Sequence, residues 1–179
     1  MKNIIIIPIG EVEQSIIDFL TETIPSVIEG IKCSSGEKID LPFHLLNLSR
    51  NQFMAETILV QLILLKDKKN YDVVLGVIDY DIYAPGLNFV FGQVIDSVGI
   101  ISLTRLKPQY YSKPENNELY KKRILTEAVH ELGHIFGLDH CNDPNCVMYF
   151  SNSIRDTDKK GYNFCDKCKR KLTDNLKII

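Results

Sequence analysis

The densest chemistry in the chain lies between residues 130 and 140, where His130-Glu131 is followed by His134, Gly137 and His140. On a helix, His130 and His134 lie four positions and about 40° apart around the axis, so one ion can bind both imidazoles at ~2.0–2.1 Å. The helix would carry later residues away from that ion. Gly137 stands where a helix ends at positive φ, which lets the chain reverse and return His140 as a third ligand. Three neutral ligands leave the fourth position of a tetrahedral zinc for water. Glu131, on the same helix, is placed to take that water's proton and pass it to a leaving amine. The spacing therefore predicts a catalytic zinc on His130, His134 and His140, with Glu131 as general base. Two histidines and a glutamate on a helix recur in many proteins; Gly137 and His140 set this helix apart.

A second cluster follows at once. Cys141 and Cys146 are separated by four residues, Cys165 and Cys168 by two. Thiolates at such spacings match the chelate turns of structural zinc sites, and sulfur-only ligation leaves no water to activate. The expectation is two Zn²⁺ per chain, one catalytic and one structural. Four thiolates on Zn²⁺ carry a net charge of about -2, which Lys167, Lys169, Arg170 and Lys171 can offset. Cys33 is the odd cysteine and reads as a free thiol. His44 has no ligand partner near it in sequence and reads as a surface or hydrogen-bonded histidine. Asp139 either orients His140 or faces solvent.

These residues need a frame. Residues 3–9 read as a buried strand, and 11–19 carry apolar residues at helical spacing. Residues 39–46 suit a short strand. Ser49 or Asn51 is placed to cap a helix whose apolar face holds Phe53, Ile58, Leu62 and Leu65. Strands are expected over 72–78, 88–95 and 98–103. Residues 114–136 read as one long helix with Pro114 in its first turn. Strands and helices thus alternate up to Gly137, an α/β (α+β) pattern. Beyond it the chain turns polar and cysteine-rich, with too little apolar surface for a core of its own. The expected organisation is a single domain over 1–179, with an upper subdomain at 1–137 and a zinc-stapled lower one at 138–179.

Bulk properties narrow the partners. A formal net charge of -2 over 179 residues gives no general reason to expect nucleic acid or an anionic membrane. No stretch approaches the ~20 apolar residues of a membrane helix. The apolar start is too short for a signal peptide, is broken by Pro8 and leads into Glu11 and Glu13, so the expected location is cytoplasmic. Cysteines in that reducing setting point to metal rather than disulfides.

Residues 130–140 resemble the metzincin signature His-Glu-x-x-His-x-x-Gly-x-x-His. Metzincins also have a methionine turn beneath the metal, and Met148 stands eight residues after His140. In some of them a tyrosine two residues past that methionine reaches the zinc; here that position is Phe150, and the adjacent Tyr149 reads as a packing residue. The run His140-Cys141, Cys146-Val147-Met148 and Cys165 to Cys168 is similar to the archaemetzincin branch, with the strong match over 130–168. The resemblance implies a zincin-like fold, with a mixed, mostly parallel twisted sheet, packed helices and an active-site helix. It also implies a compact lower lobe on the second zinc, and peptidase activity on a peptide or protein substrate. Residues 88–92 could supply a sheet edge that binds an extended peptide by strand addition, as metzincins do, or an inner strand.

Other functions compete with this one. Bacterial zinc endoribonucleases use a similar three-histidine spacing, but they lack a glutamate after the first histidine and lack the four cysteines. A nucleic-acid-binding zinc ribbon over 141–179 would have eight basic against five acidic residues, with Tyr162 and Phe164 for stacking. A catalytically silent zinc protein is the third alternative.

Overall fold

A computed structural model describes residues 2–178. Its main sheet has five strands in the order β2-β1-β5-β8-β7: β1 (Lys2–Ile9), β2 (Ile31–Ser35), β5 (Val73–Ile78), β7 (Gly92–Ile95) and β8 (Val98–Ser102). β1, β2, β5 and β8 run parallel, and β7 closes one edge antiparallel to β8. β1 and β5 are central and covered on both faces, which is why their sequences are nearly unbroken apolar runs. Ile4 and Ile6 face one core, Ile5, Ile7 and Ile9 the other. The first core is covered by α1 (Gln14–Val27) and α3 (Asn117–Ile135), the second by α2 (Ala55–Lys69). A small second sheet joins β3 (Leu46–Asn47), β4 (Gln52–Met54) and β6 (Ile82–Tyr83).

Several sequence expectations shift here. The first helix begins later and runs on to Val27, with Pro25 in its last turn. Ser49 and Asn51 do not cap α2: Asn51 takes a left-handed turn, Phe53 belongs to β4, and the helix starts at Ala55 without a side-chain cap. Residues 39–46 give a single bridge at Ile39, a 3₁₀ turn (Phe43–Leu45) and the start of β3. The strand expected over 88–95 shortens to β7. The reason is a tertiary contact: the carbonyls of Leu87 and Asn88 are taken by the Arg50 guanidinium, and that of Asn88 also by Gln52. α3 starts after Asn116, whose side chain accepts from the Leu119 N–H, so Pro114 precedes the helix.

The chain beyond α3 adds α4 (Ile154–Lys160), opened by a Ser153/Asp156 capping box, and α5 (Asp166–Ile178). Leu138, Cys146, Val147, Met148, Cys168 and Leu172 pack into the same core as α1 and α3. The lower lobe therefore has no separate core because it borrows this one. Two ion pairs bind α4 to α3: Arg123–Asp158 at 2.7 Å and Lys160–Glu127 at 3.3 Å.

Candidate active site and metal centres

The last turns of α3 carry His130, Glu131 and His134. Gly137 has φ +80°, as the turn requires, and its N–H donates to the His134 carbonyl at 2.9 Å. The Leu138 N–H donates to Gly133 at 2.9 Å, closing the helix in a Schellman-type turn. The chain then reverses and delivers His140. One ligand nitrogen from each of His130, His134 and His140 lies within 4.8 Å of the others. The Nε2 atoms of His130 and His134 are 3.2 Å apart, close to the ~3.3 Å that two ligands at ~2.0–2.1 Å span on a tetrahedral ion.

Backbone carbonyls fix the two helical imidazoles. His130 Nδ1 donates to Val147 O at 2.6 Å and His134 Nδ1 to Leu138 O at 2.8 Å. A carbonyl only accepts, so the proton sits on Nδ1 and Nε2 is left for the metal. Burial pushes the His130 pKa well down, with the Lys160 ammonium and His134 adding to it. Burial likewise lowers His134 and His140, which keeps all three rings in the neutral form that binds metal. Met148 is fully buried beneath α3, where a Cβ at Gly133 would fall on its Sδ. The methionine turn thus needs a glycine above it.

Glu131 faces a cleft of about 430 Å³ that the three histidines also line. Burial raises its carboxyl well above the usual range, the nearby Glu127 carboxylate raises it further, and Lys160 opposes both. On the opposite wall, Gly92 of β7 packs so tightly on the Glu131 carboxylate that a Cβ there would overlap Oε1. Phe150 borders the cleft and meets His140 edge-on, ring centroids 5.0 Å apart.

The four cysteines converge as the spacing predicts, with their sulfurs within 4.8 Å of one another. Cys141 and Cys165 Sγ are 3.9 Å apart; a tetrahedral ion with bonds of ~2.3 Å needs about 3.8 Å. Backbone N–H groups of Asp143 and Cys165 point at Cys141 and Cys146 sulfurs, at 3.5 and 3.3 Å. Burial raises the Cys146 and Cys168 thiols, while the Cys168 N–H lowers Cys165. A cluster of four converging sulfurs fits Zn²⁺, as three imidazoles beside an open cleft fit a catalytic one.

The remaining candidates fall outside these centres. His44 is exposed on the 3₁₀ turn, and Cys33 is a free thiol on β2. Asp139 faces solvent and pairs with Lys171 at 2.9 Å, and Lys169 pairs with Glu29 at 3.8 Å. Two of the four expected cations thus have carboxylate partners. Tyr162 and Phe164 are partly buried and pack against the core. Sequence reasoning missed Glu127 and Lys160, and placed Gly92 only in the candidate edge at 88–92, without its contact to Glu131. Of the residues missed, only Glu127 left a trace in the sequence, four positions before Glu131 and so on the same helix face.

Fold and site together are those of a zinc metallopeptidase with a zincin-like architecture. The model of peptidase family M54 matches residues 1–174. The archaemetzincin of Pyrococcus furiosus is 43% identical, over 97% of this chain and 93% of its own. The crystal structure of the Methanopyrus kandleri archaemetzincin superposes with a TM-score of 0.86 at 37% identity, over 98% of this chain and 96% of that one. That of Archaeoglobus fulgidus, complexed with malonate, gives 0.81 at 36%, over 94% and 99%. The chain belongs to peptidase family M54, the archaemetzincins. Among the described residues no helix is long and apolar enough to cross a membrane.

Proposed function

We propose that the protein hydrolyses peptide bonds at a zinc held by His130, His134 and His140, with Glu131 as general base, and that a second zinc on Cys141, Cys146, Cys165 and Cys168 is structural. The observation that carries this reading is the convergence of three imidazole nitrogens at the foot of the cleft that Glu131 lines. When bound, zinc supplies Lewis acidity, polarising the scissile carbonyl and acidifying a water. Glu131 takes a proton from the attacking water and hands it to the leaving amine.

β7 is suited to hold the substrate. The Ser102 N–H donates to Phe91 O at 2.8 Å, which makes 91/102 a hydrogen-bonded pair. By antiparallel alternation, Gly92 and Val94 then direct their N–H and C=O groups away from β8, toward the open edge. An extended peptide added antiparallel to that edge passes over Glu131 and the histidines. The domain division at 137/138 follows the same logic: the upper part carries the helix and sheet edge, the lower part the third histidine and the turn beneath.

Turnover of a peptide library by zinc-loaded protein tests the reading, with Glu131→Ala as control. The variant should keep its metals and lose hydrolysis by ~10²–10⁴-fold. Cleavage at the wild-type rate by Glu131→Ala would remove the assigned base.

A further inference from the structure

Hydrolysis leaves one buried pair of charges unused. Lys160 is wholly buried and Glu127 is 3% exposed. Pairs of this kind stabilise little relative to apolar side chains of the same size, so stability alone is a weak account of this one. The lysine is enclosed by acceptors and the His130 ring: Tyr149 O at 3.2 Å, Glu127 Oε1 at 3.3 Å and His130 Nδ1 at 3.3 Å. Glu127 also accepts from Thr157 Oγ1 at 2.8 Å. Both partners approach the same oxygen, Oε1, and the glutamate, unlike the lysine, lines the cleft beside His130 and Ser151.

For a peptide paired antiparallel to β7, the direction of the cleft decides which part meets Glu127. Gly92 lies against Glu131, while Val94 and Ile135 both border Gly99. The sheet edge and the helix therefore advance together, from 92 and 131 to 94 and 135. Glu127 lies one turn earlier on the helix, toward the start of β7. A peptide paired antiparallel to β7 runs the opposite way, so its C-terminal, leaving-amine half passes over Glu127.

We propose that Glu127 floors a side-chain subsite on the leaving-group side of the cleft, and that this subsite selects a substrate residue ending in N–H donors, such as Lys, Arg or Gln. The free acceptor capacity belongs to the carboxylate, because Thr157 and Lys160 both approach Oε1 and leave its other oxygen without a protein donor among the described residues. An aliphatic side chain there would strip water from a carboxylate oxygen and give no hydrogen bond in return. An acidic one would meet like charge.

The subsite rests on the peptide-cleft reading but is tested by binding, so that a failure of hydrolysis is seen separately. The protein is zinc-loaded Glu131→Gln. The probes are N-terminally fluorescein-labelled, C-amidated peptides Ala-Ala-Ala-Xaa-Ala-Ala, with Xaa as Lys, Arg, Gln, Leu or Glu, followed by anisotropy. Lys, Arg and Gln peptides should bind about ten-fold more tightly than Leu or Glu. Adding Glu127→Leu with Lys160→Met, a swap to apolar groups of similar volume, should reverse the order in favour of Leu. Adding Glu127→Gln instead keeps the side chain's shape, guards against misfolding of the double change, and should lose the Lys and Arg preference. A flat order, a Leu-first or Glu-first order, no binding, or an order that neither substitution alters would overturn the subsite.

Discussion

The two proposed metal centres share their chain so closely that damage to one should reach the other. Consider Cys168→Ser, which removes a sulfur ligand from α5 and touches no histidine. Cys141 follows His140 directly, so their Cα atoms are ~3.8 Å apart. Cys146 precedes Val147, whose carbonyl orients His130 at 2.6 Å, and the Cys141 N–H donates to Met148 O at 2.9 Å. Loosening the sulfur cluster therefore frees both the delivery of His140 and the acceptor that aims His130. Loss of one such supporting group costs ~10–100-fold in metal affinity. With two affected, a weakening near 100-fold is expected, about 2.7 kcal/mol. The lobe should also lose thermal stability, though it should not unfold outright, since Val147, Met148 and Leu172 remain in the shared core. Cobalt substitution separates the two sites by their visible spectra, and competition with a chromophoric chelator gives each affinity. Unchanged affinity at the histidine site, in a variant shown to have lost its sulfur-bound metal, would refute the coupling.

Two further outcomes follow from single residues. Gly92→Ala should force the Glu131 carboxylate to move, and a misplacement of ~1 Å costs on the order of 10²-fold in kcat; zinc content should stay the same, and an unaltered kcat would show that the carboxylate tolerates the methyl. Burial lifts the Cys33 thiol from 9.0 to about 12. The unfolded chain thus releases this proton first as pH rises, so stability falls from about pH 9 toward 12. Cys33→Ser should flatten that decline, and the native thiol should resist iodoacetamide at pH 8; rapid alkylation of folded protein would contradict the burial.

Much of the site was legible because metal chelation imposes short, local spacings. His130, His134, Gly137 and His140 are fixed by one helix and the turn that ends it, and the four cysteines by two chelate turns. The apolar runs of β1 and β5 announced buried strands. Other features depend on tertiary neighbours that leave no local pattern. Nothing near residues 87 and 88 tells that Arg50 and Gln52 will capture their carbonyls and shorten the edge strand. Nothing in Gly92 tells that a carboxylate from α3 will fill the space of its missing side chain. Lys160 reads as one more surface lysine until α4 docks and buries it against Glu127. The start of α2 was misplaced because Asn51, a good capping residue by type, is used instead for a left-handed turn.

Anomalous diffraction at the zinc edge, on crystals of protein purified without chelator, measures the assignment of both centres at once. Two peaks are expected per chain: one with nitrogen ligands from His130, His134 and His140 at ~2.0–2.1 Å, the other with four sulfurs at ~2.3 Å. A zinc-replete crystal with a single peak among the cysteines, and none between the histidines, would contradict the catalytic centre.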